Sequence, residues 1–266
     1  MTTYPNCKIN LGLHVTGRRA DGYHTIETVF LPVPLCDRLT IEPAGQTGFV
    51  QTGMALDCPA SENICVNAYR SMCRKYPQIG PVQISLEKNI PFGAGLGGGS
   101  SDAAHTIIML NELYDLHLTS DDLCAQASEI GADCPFFILN RPCHATGIGE
   151  RLEPLAFDLP SAGLHLVLLK PPVAVSTAEA YRGIVPRSAA TDLRQAVLGP
   201  PESWRETIVN DFEATVFEKH PSIAGLKQAL YNSGAVYASM SGSGSALFGV
   251  FKELPAVQLP FEVYRG

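Results

Sequence analysis

No run of apolar residues in this chain approaches the ~20 needed to cross a bilayer as a helix, and no charged segment leads into an apolar one at its start. An unexported, cytoplasmic protein that makes no use of a membrane is expected. Cysteine pairs of the C-x-x-C type are missing too. The eight cysteines, Cys7, Cys36, Cys58, Cys65, Cys73, Cys124, Cys134 and Cys143, have no histidine cluster of the zinc kind beside them, so free, mostly buried thiols in a reducing compartment are expected. Basic runs are absent as well. The 19 Lys and Arg are scattered among 26 Asp and Glu for a formal charge of -7, which argues against nucleic acid as the main partner. Anionic ligands must then be held by local groups.

Internal repeats and low-complexity tracts are also lacking. What is present is a globular balance, 45% apolar and 17% charged residues, in 266 residues, roughly two domains at about 150 residues each. Nothing in the sequence specifies an oligomer.

Alternation of Cys7, Ile9, Leu11, Leu13 and Val15 with Lys8, Asn10, Gly12 and His14 predicts a half-buried strand whose polar face is free. The same period returns at Val82, Ile84 and Leu86. Ser61 reads as the cap of a helix running towards Tyr76, and a further helix should follow Thr119. The stretch from Leu155 to Gly163 has little periodicity and leads into an apolar strand, Leu164 to Leu169, placing a boundary between domains 1–156 and 157–266. Pro221 opens a helix with Ile223, Leu226 and Leu230 on one face, and Gly234 stands where a left-handed stop is expected. Strands 236–240 and 246–251 then flank a second glycine-rich turn, Ser241-Gly242-Ser243-Gly244-Ser245.

The sharpest feature lies between a strand and an amphipathic helix that begins near Ser100 or Ser101: Pro91-Phe92-Gly93-Ala94-Gly95-Leu96-Gly97-Gly98-Gly99-Ser100-Ser101-Asp102-Ala103-Ala104. Five glycines let backbone N–H groups approach an anion, and the helix start adds unpaired donors, so a phosphate is the natural guest. Gly93, Gly95 and Gly98 also satisfy the dinucleotide pattern G-x-G-x-x-G. In that fold, however, the first glycine follows the strand directly, whereas Lys88-Asn89-Ile90-Pro91-Phe92 intervene here. An oxidoreductase remains the alternative from another class. The nucleoside-triphosphatase pattern fails because no lysine precedes Ser100.

The loop resembles that of the superfamily of galactokinase, homoserine kinase, mevalonate kinase and phosphomevalonate kinase. Lys8-Ile9-Asn10-Leu11, Arg19-Ala20-Asp21-Gly22-Tyr23-His24, Gly131 to Phe137, Gly147 to Glu150 and Ser241 to Ser245 narrow the resemblance to a branch of the non-mevalonate isoprenoid pathway. Members of that branch phosphorylate the 2-hydroxyl of a cytidylyl methylerythritol. The resemblance implies an α/β (α+β) fold of two domains with the active site in the cleft between them, and a small-molecule kinase using ATP and Mg2+. It makes Asp133 the catalytic base and Lys8 its partner. Pro91, Gly93, Ala94, Gly95, Leu96, Gly97, Gly98, Gly99, Ser100 and Ser101 would hold ATP, with Asn63 on the adenine side. Tyr23 and Tyr181 would sandwich the cytosine, His24 would read its edge, and Asn10, Gly242 and Ser243 would contact the rest of the substrate. Ser101 is the candidate metal ligand beside the phosphates.

Overall fold

A computed structural model of the chain describes residues 1–55, 59–187 and 191–266. Cys58, read above as a free thiol, lies outside the described residues. Twelve strands form among them: β1 (Thr2–Thr3), β2 (Asn6–Arg18), β3 (His24–Cys36), β4 (Arg38–Pro43), β5 (Gly48–Gly53), β6 (Val82–Lys88), β7 (Cys143–Thr146), β8 (Arg151–Pro154), β9 (His165–Leu169), β10 (Tyr237–Met240), β11 (Leu247–Phe251) and β12 (Glu262–Arg265). The α-helices are α1 (Ile64–Lys75), α2 (Gly98–Leu113), α3 (Ser120–Ser128), α4 (Cys134–Leu139), α5 (Thr177–Tyr181), α6 (Leu193–Leu198), α7 (Trp204–Thr207), α8 (Phe212–Lys219) and α9 (Pro221–Asn232). They accompany three four-stranded sheets, with orders β1-β4-β6-β5, β2-β3-β7-β8 and β10-β11-β9-β12.

By its backbone contacts the chain divides into two units assembled from several segments each, rather than by one cut. The first comprises Met1–Lys8, Pro32–Phe92 and Gly97–Arg141; the second comprises Ile9–Leu31, Gly93–Leu96 and Pro142–Gly266. In the first unit, β4 pairs antiparallel with β6, Leu39 opposite Leu86 and Ile41 opposite Ile84, while β5 runs parallel to β6. Val82, Ile84 and Leu86 bury one side of β6 as their period of two demands, against Cys65, Ala68 and Met72 of α1 and Ala103, Ile107 and Leu110 of α2. Each such aliphatic side chain contributes about 1.5–3 kcal/mol on full burial. Helix α3 starts at Thr119 as expected, because Thr119 and Asp122 form a reciprocal capping box. The cap of α1 differs from the expectation at Ser61. Residues Ala60–Glu62 form a short 3-10 turn, and Asn63 caps the helix by accepting the amide of Cys65 on Oδ1 at 2.9 Å.

The second unit centres on the antiparallel sheet β10-β11-β9-β12, against which Phe212 and Val216 of α8 and Ile223 and Leu230 of α9 are buried. Pro221 opens α9 and Gly234 follows its last residues at φ +96°, the stop read from sequence. The free polar face expected for β2 is not observed: Lys8, Asn10 and His14 are all buried. Lys8 faces Asp133, Asn10 bonds Thr28 and His14 Nδ1 faces Asp211, which is how such groups tolerate burial, while His14 Nε2 is buried without a partner among the described residues.

Candidate active site

In the first unit, Lys8 Nζ lies 3.5 Å from Asp133 Oδ2, the lysine side chain 4% exposed and the aspartate 33%. Asp133 ends the turn after α3 and stands just before α4, and its side chain does not cap that helix. Its carboxylate is thus left for another partner. Burial pushes the Lys8 amine below the ordinary lysine range, with the charge of Asp133 opposing the shift. A lysine so placed can donate to an acceptor oxygen or lower the pKa of a bound hydroxyl, and a half-open carboxylate beside it can accept the proton.

Gly97 adopts φ +71° and precedes α2. A β-carbon there would stand 2.9 Å from Phe137 Cζ and 3.1 Å from Lys8 Cε, so the glycine lets the loop pass directly over the Lys8 stem. The first intrahelical bond of α2 is donated by Ser101 to Gly97 at 2.9 Å. The amides of Gly98, Gly99 and Ser100 therefore precede the helical ladder and form the donor set a phosphate needs. Asn63 belongs to the same unit, but its Oδ1 is committed to the cap of α1.

In the second unit, the segment Gly93–Leu96 meets the glycine-rich turn 241–245. The Ser241 hydroxyl accepts from Asn10 N at 3.3 Å and donates to Gly95 O at 2.9 Å, and Ala246 N donates to Ala94 O at 3.1 Å. Gly95, at φ +75°, has no room for a β-carbon, which would overlap Ser241 O. Gly242 is less tightly enclosed: a β-carbon there would stand 3.2 Å from Asn10 Oδ1 and 3.3 Å from Gly95. The Asn10 amide donates to Thr28 Oγ1 at 3.0 Å, and the Ser243 hydroxyl lies 3.3 Å from Thr177 Oγ1. Sequence reasoning missed Asn210, whose buried amide donates to Met240 O at 2.7 Å and Gly242 O at 2.9 Å and thereby holds the turn. An isolated asparagine carries no signal of such a role.

The aromatic residues are arranged differently from a simple pair of tyrosines. His24 and Tyr181 stack with centroids 4.6 Å apart and 18° between planes, and Tyr181 also makes a T-shaped contact with Phe212, centroids 4.7 Å apart and 82° between planes. Tyr23 is 63% exposed, in the turn that Asp21 fastens by accepting Tyr23 N at 3.1 Å. The structure thus brings His24 onto Tyr181 and leaves Tyr23 at the surface.

Among the described residues no three His, Cys, Asp or Glu side chains gather as a metal cage. A magnesium ion that keeps phosphate oxygens and waters needs only one or two protein oxygens, and the buried Ser101, whose hydroxyl makes one long contact of 3.4 Å to His105 Nδ1, fits that limited role. The seven described cysteines are free. Burial pushes Cys7 and Cys134 up to about 12, so neither is a thiolate nucleophile.

The model of the GHMP kinases N terminal domain matches residues 63–141, and that of the GHMP kinases C terminal matches 192–260. A 4-diphosphocytidyl-2-C-methyl-D-erythritol kinase of Parabacteroides distasonis is 49% identical over 253 residues, covering 95% of this chain and 92% of its own. The one of Azobacteroides pseudotrichonymphae is 48% identical over 257 residues, covering 95% and 94%. A crystal structure of 4-(cytidine 5'-diphospho)-2C-methyl-D-erythritol kinase is similar with a TM-score of 0.80 at 37% identity, covering 94% of this chain and 89% of that one. With its phosphate-ready glycine loop beside a lysine–aspartate pair, the chain belongs to the GHMP kinases, in the family of these small-molecule kinases.

Proposed function

We propose that the protein transfers the γ-phosphoryl group of ATP to the 2-hydroxyl of 4-diphosphocytidyl-2-C-methyl-D-erythritol, giving the 2-phosphate and ADP, as a step towards isoprenoid precursors in the cytoplasm. The single observation that carries the chemistry is the Lys8–Asp133 pair at 3.5 Å, with Gly97 packed on the lysine stem. The names of the relatives support the choice of acceptor.

Asp133 accepts the proton of the attacking hydroxyl, and Lys8 orients that hydroxyl and offsets charge on the moving phosphoryl group. Residues 91–101 cradle the phosphates through backbone donors. Mg2+, when bound with ATP, neutralises phosphate charge, with the Ser101 hydroxyl as its protein ligand. Asn10, Gly242 and Ser243 face the acceptor's polar chain. Cytosine stacks on Tyr181 by taking the face that His24 covers, and the exposed Tyr23 closes over it. Asn63 acts on the adenine side through the start of α1 that it caps.

Phosphorus NMR of ATP with a panel of alcohols tests this function. A new phosphomonoester is expected with the cytidylyl acceptor and with neither homoserine nor mevalonate; product from either of those, and none from the cytidylyl compound, would reject the proposed substrate.

A further inference from the structure

Continuing the buried side of β6 past Val82, Ile84 and Leu86 brings Lys88, a lysine where a fourth apolar residue would be expected. Its Nζ bridges two buried carboxylates, Asp37 Oδ2 and, at 2.8 Å, Asp102 Oδ2. The other oxygen of Asp37 accepts the backbone amides of Asn89 at 2.6 Å and Ile90 at 2.8 Å, where the chain leaves β6 for the glycine loop. Asp102 lies just past the first turn of α2, four residues after the helix begins at Gly98. The space around this lysine is closed from above as well, because a β-carbon on Gly98 would meet Ile90 at 2.8 Å and Lys88 Nζ at 3.4 Å.

From this geometry we infer that Asp37, Lys88 and Asp102 form a buried clamp that fixes the separation of the two ends of the glycine loop and so preorganises its phosphate-binding amides. The inference rests on the assignment of that loop to ATP. Buried ion groups of this kind are poor sources of net stability, since desolvation offsets most of the attraction, but they hold geometry tightly. Phosphoryl transfer depends on positioning above all, and a displacement of about 1 Å at a positioning element can cost a hundredfold. Asp102 is accordingly a positioning residue: it acts on the phosphates through Lys88 and the loop, without touching them.

The test compares Asp102→Ala with the conservative Asp102→Asn, which retains an oxygen for Lys88. For Asp102→Ala the affinity for ATP should fall roughly tenfold or more while KM for the acceptor changes little, and Asp102→Asn should restore most of the loss. Equal losses for both substrates, or an asparagine variant as impaired as alanine, would overturn the clamp. Gly99→Val separates this from failure of the loop assignment. If it loses ATP affinity and Asp102→Ala does not, the clamp alone is wrong; if neither loses it, the loop assignment goes too. Amide exchange on the parent protein needs no variant to fold: without nucleotide, Asn89 and Ile90 should exchange as slowly as the interior of β6, and exchange at the rate of exposed loops would refute the clamp.

Discussion

Lys8 and Lys88 are both 3% exposed lysines of the first unit, each facing aspartate, and they are set up in opposite ways. Lys8 faces the carboxylate of Asp133, a third exposed and 3.5 Å away, and burial wins: its proton is held less firmly than in an ordinary lysine. Burial would push Lys88 down in the same way, but Asp102 and Asp37 together more than reverse it and raise its pKa. A loosely held charge beside a half-open carboxylate is suited to a reaction in which protons move. A lysine charge locked between two buried aspartates, of which Asp102 itself keeps a proton up to about 8, is suited to holding a backbone in place.

The strongest way to break this comparison is to remove the Lys8–Asp133 pair. Asp133→Asn and Lys8→Met should each keep the fold and both ligands yet lose about a hundredfold to ten-thousandfold in turnover. The double variant should be scarcely slower than the worse single one, because losses inside one catalytic unit do not add. Rapid-mix measurement of single turnovers settles both; near-normal turnover in Asp133→Asn would remove the base from the mechanism.

Stacking comes next in size. Tyr181→Ala should raise KM for the cytidylyl acceptor roughly tenfold to hundredfold, since stacking on one base is worth about 1–3 kcal/mol, with ATP affinity unchanged. Tyr23→Ala should do less, its ring being mostly in solvent. A larger effect at Tyr23 would mean that the exposed ring, and not Tyr181, carries the base.

Gly99→Val sharpens the loop side of the comparison. A β-carbon at Gly99 meets only Ile64, at 3.8 Å, whereas substitutions at Gly97 or Gly98 collide with Phe137, Lys8 or Ile90 and would confuse binding with folding. Loss of a charge-assisted bond to phosphate predicts a roughly tenfold weaker ATP affinity at an unaltered melting temperature. Unchanged affinity by calorimetric titration would move the nucleotide away from the start of α2.

Two pH effects separate the lysines. Because Lys8 releases its proton below the ordinary lysine range, turnover should fall on the alkaline side earlier than an ordinary lysine would allow, as its charge is lost. Asp102 behaves in the opposite sense to a surface carboxylate: burial pushes it up to about 8, Lys88 pulls against this and Asp37 adds to it. The folded state then holds a proton that the unfolded chain has already lost, so this group's contribution to stability declines as pH rises from about 4 to about 8 and is flat above. Melting curves of Asp102→Asn should lack that decline, and identical pH profiles for variant and parent would show that Asp102 is ionised throughout.

Much of this was legible beforehand because local rules suffice for it. The strand at Val82, Ile84 and Leu86, the capped helix after Thr119, the Pro221 to Gly234 helix and the phosphate-ready glycines all depend on near neighbours in sequence. Lys8 and Asp133 came from the family resemblance, and the structure brings them together. The cap of α1 was misplaced by two residues because Ser61 and Asn63 are both good caps and only the 3-10 turn at Ala60–Glu62 decides between them. The polar side of β2 was read as open because alternation reports which residues share a face, and says nothing of what covers it.

By itself, then, the sequence determined the elements, the glycine loop and the kind of chemistry, since periodicity, caps and backbone freedom are properties of short segments. Only the tertiary structure decided which charges meet. Asp37 and Lys88 are 51 residues apart, Lys88 and Asp102 are 14, and Asn10 reaches Ser241 across 231. The chain gives no local sign of such pairings, because what creates them is burial: once water is excluded, each charge or donor must find its partner among whatever the fold has brought within 3 or 4 Å.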